Sequence, residues 1–223
     1  MIRISIPCPH WACRQKHLHR PDCDFDLREN RKLQTQVKRF QDYTAPGSKH
    51  CARALIIVGL FFRFSNFSLT IKGMVTSAIP RDQVQNLYDK CHTFVRKETI
   101  ASRLAGISCL GSLFVRDASL ILRNESKKVL TGALGDQNER IVMQAVKALA
   151  DFVAEDVTDA DAATVRNSVM QFYLDKILAC GYRARDDLAI SALRLVLLVR
   201  ERGQIHPQEC PDLIFRLFPS LIS

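Results

Sequence analysis

Cysteine and histidine residues cluster near the start of the chain, and their types would suit a metal ion. Zinc takes four such ligands in tetrahedral geometry, and the cluster contains Cys8, His10, Cys13, His17, His19 and Cys23. The spacing argues against a site, because four residues separate Cys8 from Cys13 and no C-x-x-C pair occurs. We predict an irregular segment without bound metal, in which the weak candidate ligands are Cys8, Cys13, His17 and Cys23.

Motifs for catalysis or cofactor binding do not occur in the sequence. Phosphate-binding loops of the types G-x-x-x-x-G-K and G-x-G-x-x-G are absent. His206 precedes Pro207, and proline suits the first residue of a helix because its missing N–H is not needed there. His206 is therefore expected to pack or cap at a turn. We predict no catalytic residue, no cofactor and no small-molecule substrate, and hence a protein that is not an enzyme.

The balance of charge is basic, with a formal net charge of +9. Such a balance favours anionic partners such as nucleic acid, although a solvated, solubilising surface is the alternative. Basic residues fall at Arg96-Lys97, at Lys127-Lys128, and at Arg183 with Arg185. If these lie in equivalent turns of a repeat, they form a stripe that contacts DNA phosphates without reading sequence. The predicted DNA-binding residues are Lys127, Lys128, Arg183 and Arg185.

Cysteine usage and hydropathy indicate an intracellular protein. Several of the eight cysteines stand alone beside apolar residues, which is typical of buried, reduced thiols. The first residues lack the apolar core of a secretory signal. The longest apolar run, residues 54–62, is far shorter than the roughly 20 residues that span a bilayer.

Apolar positions recur at intervals of three and four from residue 48 onward, which predicts an all-α fold. Residues 1–45 are expected to be a basic leader, mostly irregular with one helix, and residues 46–223 a helical domain. Glycine, proline and acidic residues mark the breaks between helices. The predicted helices span residues 48–64, 81–96, 98–116, 125–134, 137–155, 164–181, 186–202 and 207–217.

The helices resemble one another. Residues 143–153 align with residues 104–114 without a gap. In this alignment small residues match small residues, and large apolar residues match large apolar residues. Small markers recur 52, 39 and 47 positions apart, at Ala54, Gly106, Ala145 and Ala192. These intervals bracket the period of about 40–47 residues of HEAT and armadillo repeats. We predict a HEAT-type solenoid of about four helix pairs, whose alternative is an ordinary helical bundle.

Polar residues and a terminal apolar face fit the same reading. Asp136, before Arg140, is expected to cap the second helix of its pair and to join a ladder of polar residues between neighbouring turns. An acidic run is expected to be an exposed, mobile linker: Asp151, Glu155, Asp156, Asp159 and Asp161. Apolar residues near the end are expected to cover a further repeat: Phe215, Leu217, Phe218 and Leu221.

Four segments carry a family resemblance. Residues 203–210 read G-Q-I-H-P-Q-E-C and residues 168–174 read S-V-M-Q-F-Y-L, while residues 106–111 read G-I-S-C-L-G and residues 58–64 read V-G-L-F-F-R-F. In order and approximate spacing, over residues 51–217, they resemble segments of the Nipped-B-like cohesin loaders. The residues of the first motif are expected to be structural: Gly203, Ile205, His206, Pro207 and Cys210.

The resemblance implies a nuclear, chromatin-bound HEAT solenoid that helps place cohesin on DNA for sister chromatid cohesion and transcription control. It implies cohesin subunits and DNA as partners, no membrane, and an ATPase site that belongs to cohesin. The chain is much shorter than a loader, so we expect a fragment of one. A generic HEAT or armadillo adaptor for an unrelated protein is the alternative function.

Overall fold

The computed structural model describes residues 35, 39, 43, 50–64, 68–71, 74–77, 81–155, 160–183 and 186–203. Contacts along the chain divide it between Lys38 and Arg39, and every element named below belongs to the second part. The predicted helix 207–217 and the predicted apolar end lie outside these ranges. So does nearly all of the predicted leader, of which residues 35, 39 and 43 are helical.

Helices make up most of this part of the chain. The elements in order are α1 (Cys51–Phe64), β1 (Ser68–Ile71), β2 (Met74–Ser77), α2 (Arg81–Val95), α3 (Ile100–Arg116), a 3-10 turn (Ala118–Leu122), α4 (Asn124–Leu134), α5 (Glu139–Ala154), α6 (Ala160–Arg183) and α7 (Asp186–Glu201). Seven of the eight predicted helices are therefore present, with ends within a few residues of the predicted ones.

The helices form two layers of stacked pairs. We call α1, α3, α5 and α7 the B layer, in which α1 packs on α3, α3 on α5 and α5 on α7. We call α2, α4 and α6 the A layer, in which α4 lies between α2 and α6. The pairs α2–α3, α4–α5 and α6–α7 join the layers. This arrangement confirms the predicted all-α helical repeat, because each pair covers its apolar flank with the next pair rather than with a common centre.

Small residues allow the B-layer helices to approach closely. A Cβ atom built on Gly59 of α1 would lie 2.8 Å from Sγ of Cys109 in α3, and one built on Gly111 of α3 would lie 2.8 Å from Cβ of Ala148 in α5. Real Cβ atoms do not come so near, so both contacts require glycine. The four marker residues of the sequence repeat all lie buried in this layer: Ala54, Gly106, Ala145 and Ala192.

Polar residues in the turns fix the start of the second helix in the pairs α2–α3 and α4–α5. Thr99 caps α3, where its hydroxyl oxygen accepts the N–H of Ser102. Asn138 caps α5, where its Oδ1 accepts the N–H of Arg140 at 3.1 Å. The expected cap at Asp136 is therefore wrong, because Asp136 instead accepts the N–H of Asn138 at 2.8 Å.

Asp136 does provide the expected polar link between neighbouring turns. Its Oδ2 forms an ion pair with the guanidinium of Arg103, which lies on α3 of the preceding pair. A second ion pair spans α3 entirely, since Nη1 of Arg63 on α1 lies 2.8 Å from Oδ2 of Asp151 on α5. The first contact ties successive pairs together near the start of α3, and the second joins α1 to α5 across α3, near the ends of those helices.

Three local features differ from the sequence-based expectation. A two-stranded antiparallel hairpin, in which Ser68 pairs with Ser77 and Ile71 with Met74, follows α1. Asp151 lies within α5 and Asp161 within α6, so neither belongs to a linker. The 3-10 turn before α4 is also unexpected, and Asp117 caps it by accepting the N–H of Ser119.

Candidate binding surface on the A layer

The predicted DNA-binding residues do not lie in equivalent turns. Lys127 and Lys128 are on the body of α4, near its first turn. Arg183 is the last residue of α6, and Arg185 lies outside the described ranges. The turn between α4 and α5, equivalent to the one that carries Arg96 and Lys97, contains no basic residue. The predicted stripe of basic turns is therefore not present at these positions, and Lys127 and Lys128 lie on an A-layer helix instead.

On those helices, Lys127 lies beside an exposed aromatic ring that sequence reasoning missed. Phe172 of α6 keeps 45% of its surface exposed. Nζ of Lys127 lies 5.6 Å from the centroid of its ring, and Nζ of Lys176 lies 4.5 Å from it. Ammonium groups within about 6 Å of a ring centroid are attracted by its electron-rich face. We call Lys127, Phe172 and Lys176, together with Lys128, the exposed residue that follows Lys127 in the sequence, the A-layer patch.

The packing of α4 against α6 creates this patch, which explains why single helices did not reveal it. Lys176 follows Phe172 by four residues, so both lie on one face of α6. That spacing is the one signal in the sequence. The approach of Lys127 from 45 positions earlier depends on the contact between the two helices.

A buried hydrogen-bond chain holds the start of α4. The hydroxyl of Ser126 donates to the carbonyl of Leu120 at 2.7 Å. Its single proton is then used, so the hydroxyl of Tyr88 donates to Ser126 Oγ at 2.6 Å. Burial raises the pKa of Tyr88, which keeps the phenol protonated for this role. The chain links α2, the 3-10 turn and α4, and so positions Lys127 and Lys128.

Arg123 reinforces the same junction from the surface. Its Nη1 donates to Oε1 of Gln85 at 2.7 Å. Its guanidinium carbon lies 4.9 Å from the centroid of the Tyr88 ring. Arg123 is therefore engaged in holding α2 against α4, which leaves the lysines of the patch as its anion-binding groups.

His92 lies behind this junction in a buried position on α2. Its ring meets the ring of Tyr88 edge-on, with centroids 4.4 Å apart. Neither ring nitrogen has a hydrogen-bond partner among the residues that the structure describes. Burial lowers the pKa of His92, and the positive charge of Arg96 lowers it further. The neutral imidazole is therefore a packed core group.

The described cysteines behave as core residues. Cys91, Cys109 and Cys180 are buried, as expected, whereas Cys51 is half-buried. The thiol of Cys180 donates to the carbonyl of Leu134 at 3.1 Å, which joins α6 to α4. Burial raises the pKa of Cys91 well above its ordinary value, so this thiol is not a reactive thiolate.

The remaining sequence predictions fall mostly beyond the described residues. The weak zinc ligands Cys8, Cys13, His17 and Cys23 lie there, and no group of three or more metal-binding side chains occurs within the described ranges. Ile205, His206, Pro207 and Cys210 lie there too. Gly203 is described, and its φ of 68° after the end of α7 is a conformation that favours glycine.

None of the helices within the described ranges combines the length and the apolar character that crossing a bilayer requires.

Comparisons with known proteins bear on the family resemblance. No protein-family model matches the chain. The Nipped-B-like protein A of Danio rerio is 25% identical over 181 residues, which cover 71% of this chain and 8% of that protein. The Nipped-B-like proteins of Mus musculus and Homo sapiens are each 27% identical over 184 residues, covering 71% of this chain and 6% of theirs. These similarities confirm the resemblance that the four sequence segments predict.

Proposed function

We propose that this chain, a distant relative of one segment of the Nipped-B-like proteins, is a non-enzymatic scaffold with a role related to cohesin loading. The chain spans only 6 to 8% of the length of the relatives above. The proposed contribution of this chain is a binding surface within such a function. Cohesin subunits and chromosomal DNA are the proposed partners, and the nucleus is the proposed location.

The observation that carries the proposal is the coincidence of family and fold. The similarity covers 71% of the chain, and the described helices form the two-layer repeat that the same family resemblance predicts. Stacked helix pairs provide long surfaces on both layers and are suited to holding large partners. Because a fold alone does not establish a function, the binding mechanism is argued from the residues on the surface.

The A-layer patch supplies that chemistry for DNA. Lys128 is exposed, and Lys127 and Lys176 are half-exposed. Their ammonium groups are therefore accessible to an anion that lies near the exposed ring of Phe172. Lysine contacts to phosphate release condensed counterions, so the resulting affinity falls as salt rises and depends little on sequence. The proposed role of the patch is to hold the DNA backbone while other surfaces of the scaffold engage cohesin.

A salt titration of duplex DNA binding tests this mechanism. Because each phosphate contact contributes roughly one unit to the log–log slope of the association constant against salt, Lys128→Gln should reduce that slope by about one. Arg53→Gln is the matched control, since it removes one positive charge from an exposed position on α1 and should leave the slope unchanged. Binding that is indifferent to salt, or equal effects of the two variants, would rule out the patch as the DNA contact.

A further inference from the structure

The exposed side of the B layer carries equivalent residues in successive helix pairs. α3 is packed by α1, α2, α5 and the 3-10 turn, and one side remains partly open at the half-exposed residues Leu104 and Ser108. On α5, helical spacing places Arg140, Met143 and Lys147 on the corresponding side, and all of the buried residues of α5 fall on the opposite side. We call this open side of α3, α5 and α7 the B face.

Two parallel rows cross the B face at the positions that the internal repeat makes equivalent. The apolar row consists of Leu104, Met143 and Ile190, one residue from each helix. Each member lies 39 or 47 positions after the previous one, which matches the spacing of the markers Gly106, Ala145 and Ala192. Leu104 and Met143 are half-exposed, and Ile190 is 41% exposed.

The polar row lies four residues further along each helix and contains Ser108, Lys147 and Arg194. Lys147 and Arg194 are exposed, and among the residues that the structure describes no carboxylate or hydrogen-bond acceptor pairs with either of them. A rise of 1.5 Å per residue puts this row about 6 Å from the apolar row. The B face therefore presents two cations that have no partner among the described residues, alongside an apolar strip of three side chains.

The spacing between neighbouring helices along each row favours one backbone conformation in a bound peptide. Axes of packed helices lie about 8–10 Å apart. Lys147 and Arg194 occupy equivalent positions on the packed helices α5 and α7, so we expect their backbones to be separated by about that distance. A polyproline II chain rises about 3.1 Å per residue with three residues per turn, so every third side chain lies on the same edge, about 9 Å from the last. If a ligand in this conformation lies across the helices, each of its turns lies over one helix of the B layer.

We propose that the B face binds a protein segment in polyproline II conformation, with an acidic residue at every third position and an apolar residue beside it. The acidic residues pair with Lys147 and Arg194, and the apolar ones pack on Leu104, Met143 and Ile190. Charge complementarity commits the face to a protein ligand of this kind, since the apolar strip has no counterpart on a DNA backbone. The inference is independent of the proposed function, because α4 and α6 carry the DNA patch on the other layer.

Titration of the full chain with a fluorescent peptide of repeated Glu-Leu-Pro triplets tests the inference. Proline favours the required conformation in the peptide. The double variant Lys147→Glu, Arg194→Glu should raise the dissociation constant about tenfold or more, because each exposed ion pair is replaced by a like-charge contact. The double variant Arg53→Glu, Arg96→Glu is the matched control: the same two reversals at exposed positions on α1 and in the α2–α3 turn should leave the affinity unchanged.

Two further peptides separate the contributions of the rows. Repeated Lys-Leu-Pro triplets should fail to bind, and repeated Glu-Ser-Pro triplets should bind several-fold more weakly. Ile190→Ser should weaken the first peptide several-fold while leaving the fold intact, since Ile190 is already exposed. Equal affinity of the double variant and the unmodified chain would overturn the inference. So would loss of duplex DNA binding in the double variant without any peptide binding, because the B face would then be a nucleic-acid surface.

Discussion

At the scale of single residues, the close approach of the B-layer helices depends on glycine, which has no side chain. Gly59 and Gly111 sit where neighbouring helices leave no room for a Cβ atom, although glycine weakens an isolated helix by about 1 kcal/mol relative to alanine. Gly111 lies within the repeated segment of residues 104–114, but only the structure shows that it contacts Ala148. The cost to the helix is thus offset by close packing between pairs.

Substitution of Gly111 tests that account. Gly111→Ala should lower the free energy of unfolding by about 1–3 kcal/mol, because the new methyl group would overlap Cβ of Ala148. Gly132→Ala is the control, since Gly132 is an exposed residue of α4 with nothing within 4 Å of a Cβ, and it should stabilise the protein by about 0.5–1 kcal/mol. Urea denaturation measures both changes. A stabilising effect at Gly111 would contradict the proposed packing.

His92 predicts a pH dependence of stability. Its pKa in the folded protein is lowered, mainly by burial and then by Arg96, with Arg123 acting in the same direction and Glu125 and Asp89 opposing it. The unfolded chain therefore binds a proton more readily than the folded one as the pH falls below the ordinary histidine value of about 6.5. The contribution of neutral His92 is fully present above that pH and is lost progressively below it.

The variant His92→Phe isolates this effect, since the chain contains five other histidines. Phenylalanine keeps a ring against Tyr88 but cannot take up a proton. The difference in the free energy of unfolding between the variant and the unmodified chain should be constant above pH 7 and should shift in favour of the variant as the pH falls toward 5. Parallel stability curves over that range would show that His92 is not protected from protonation.

At the scale of elements, helices were predictable and the short connections were not. The three-to-four periodicity of apolar residues placed α1 to α7 closely, because burial of one face fixes a helix over many residues. The hairpin was missed although Thr70, Ile71, Val75 and Thr76 favour strands, since two four-residue runs are too short for a period to emerge. Of the A-layer patch, Lys127 and Lys128 were named from the sequence and Lys176 was not, and the contact of Lys127 with Phe172 requires the packing of α4 on α6.

Caps at element ends give a prediction at this scale. Asn138→Ala should lower the free energy of unfolding by about 1 kcal/mol, because the N–H of Arg140 loses the acceptor that begins α5. Asn167→Ala, at an exposed position inside α6, removes the same amide without removing a cap, and alanine's higher helix propensity should leave stability unchanged or slightly raised. Thermal denaturation distinguishes the two variants, and equal effects would refute the assignment of the cap to Asn138.

At the scale of the whole molecule, the repeat accounts for two separate surfaces. Side-by-side stacking turns residues that are 39 or 47 positions apart into neighbours, which aligns the two rows of the B face. The same stacking in the A layer brings α4 beside α6 and forms the lysine and phenylalanine patch. A scaffold related to the Nipped-B-like proteins could in this way hold DNA on one layer and a protein segment on the other.

The most direct test of the proposed role is co-precipitation from nuclear extract after nuclease treatment, which removes bridging by DNA. The tagged chain should recover cohesin subunits above the level obtained with an unrelated helical-repeat protein of similar net charge. Recovery of other proteins without any cohesin subunit would contradict the relation to cohesin loading and favour a generic adaptor.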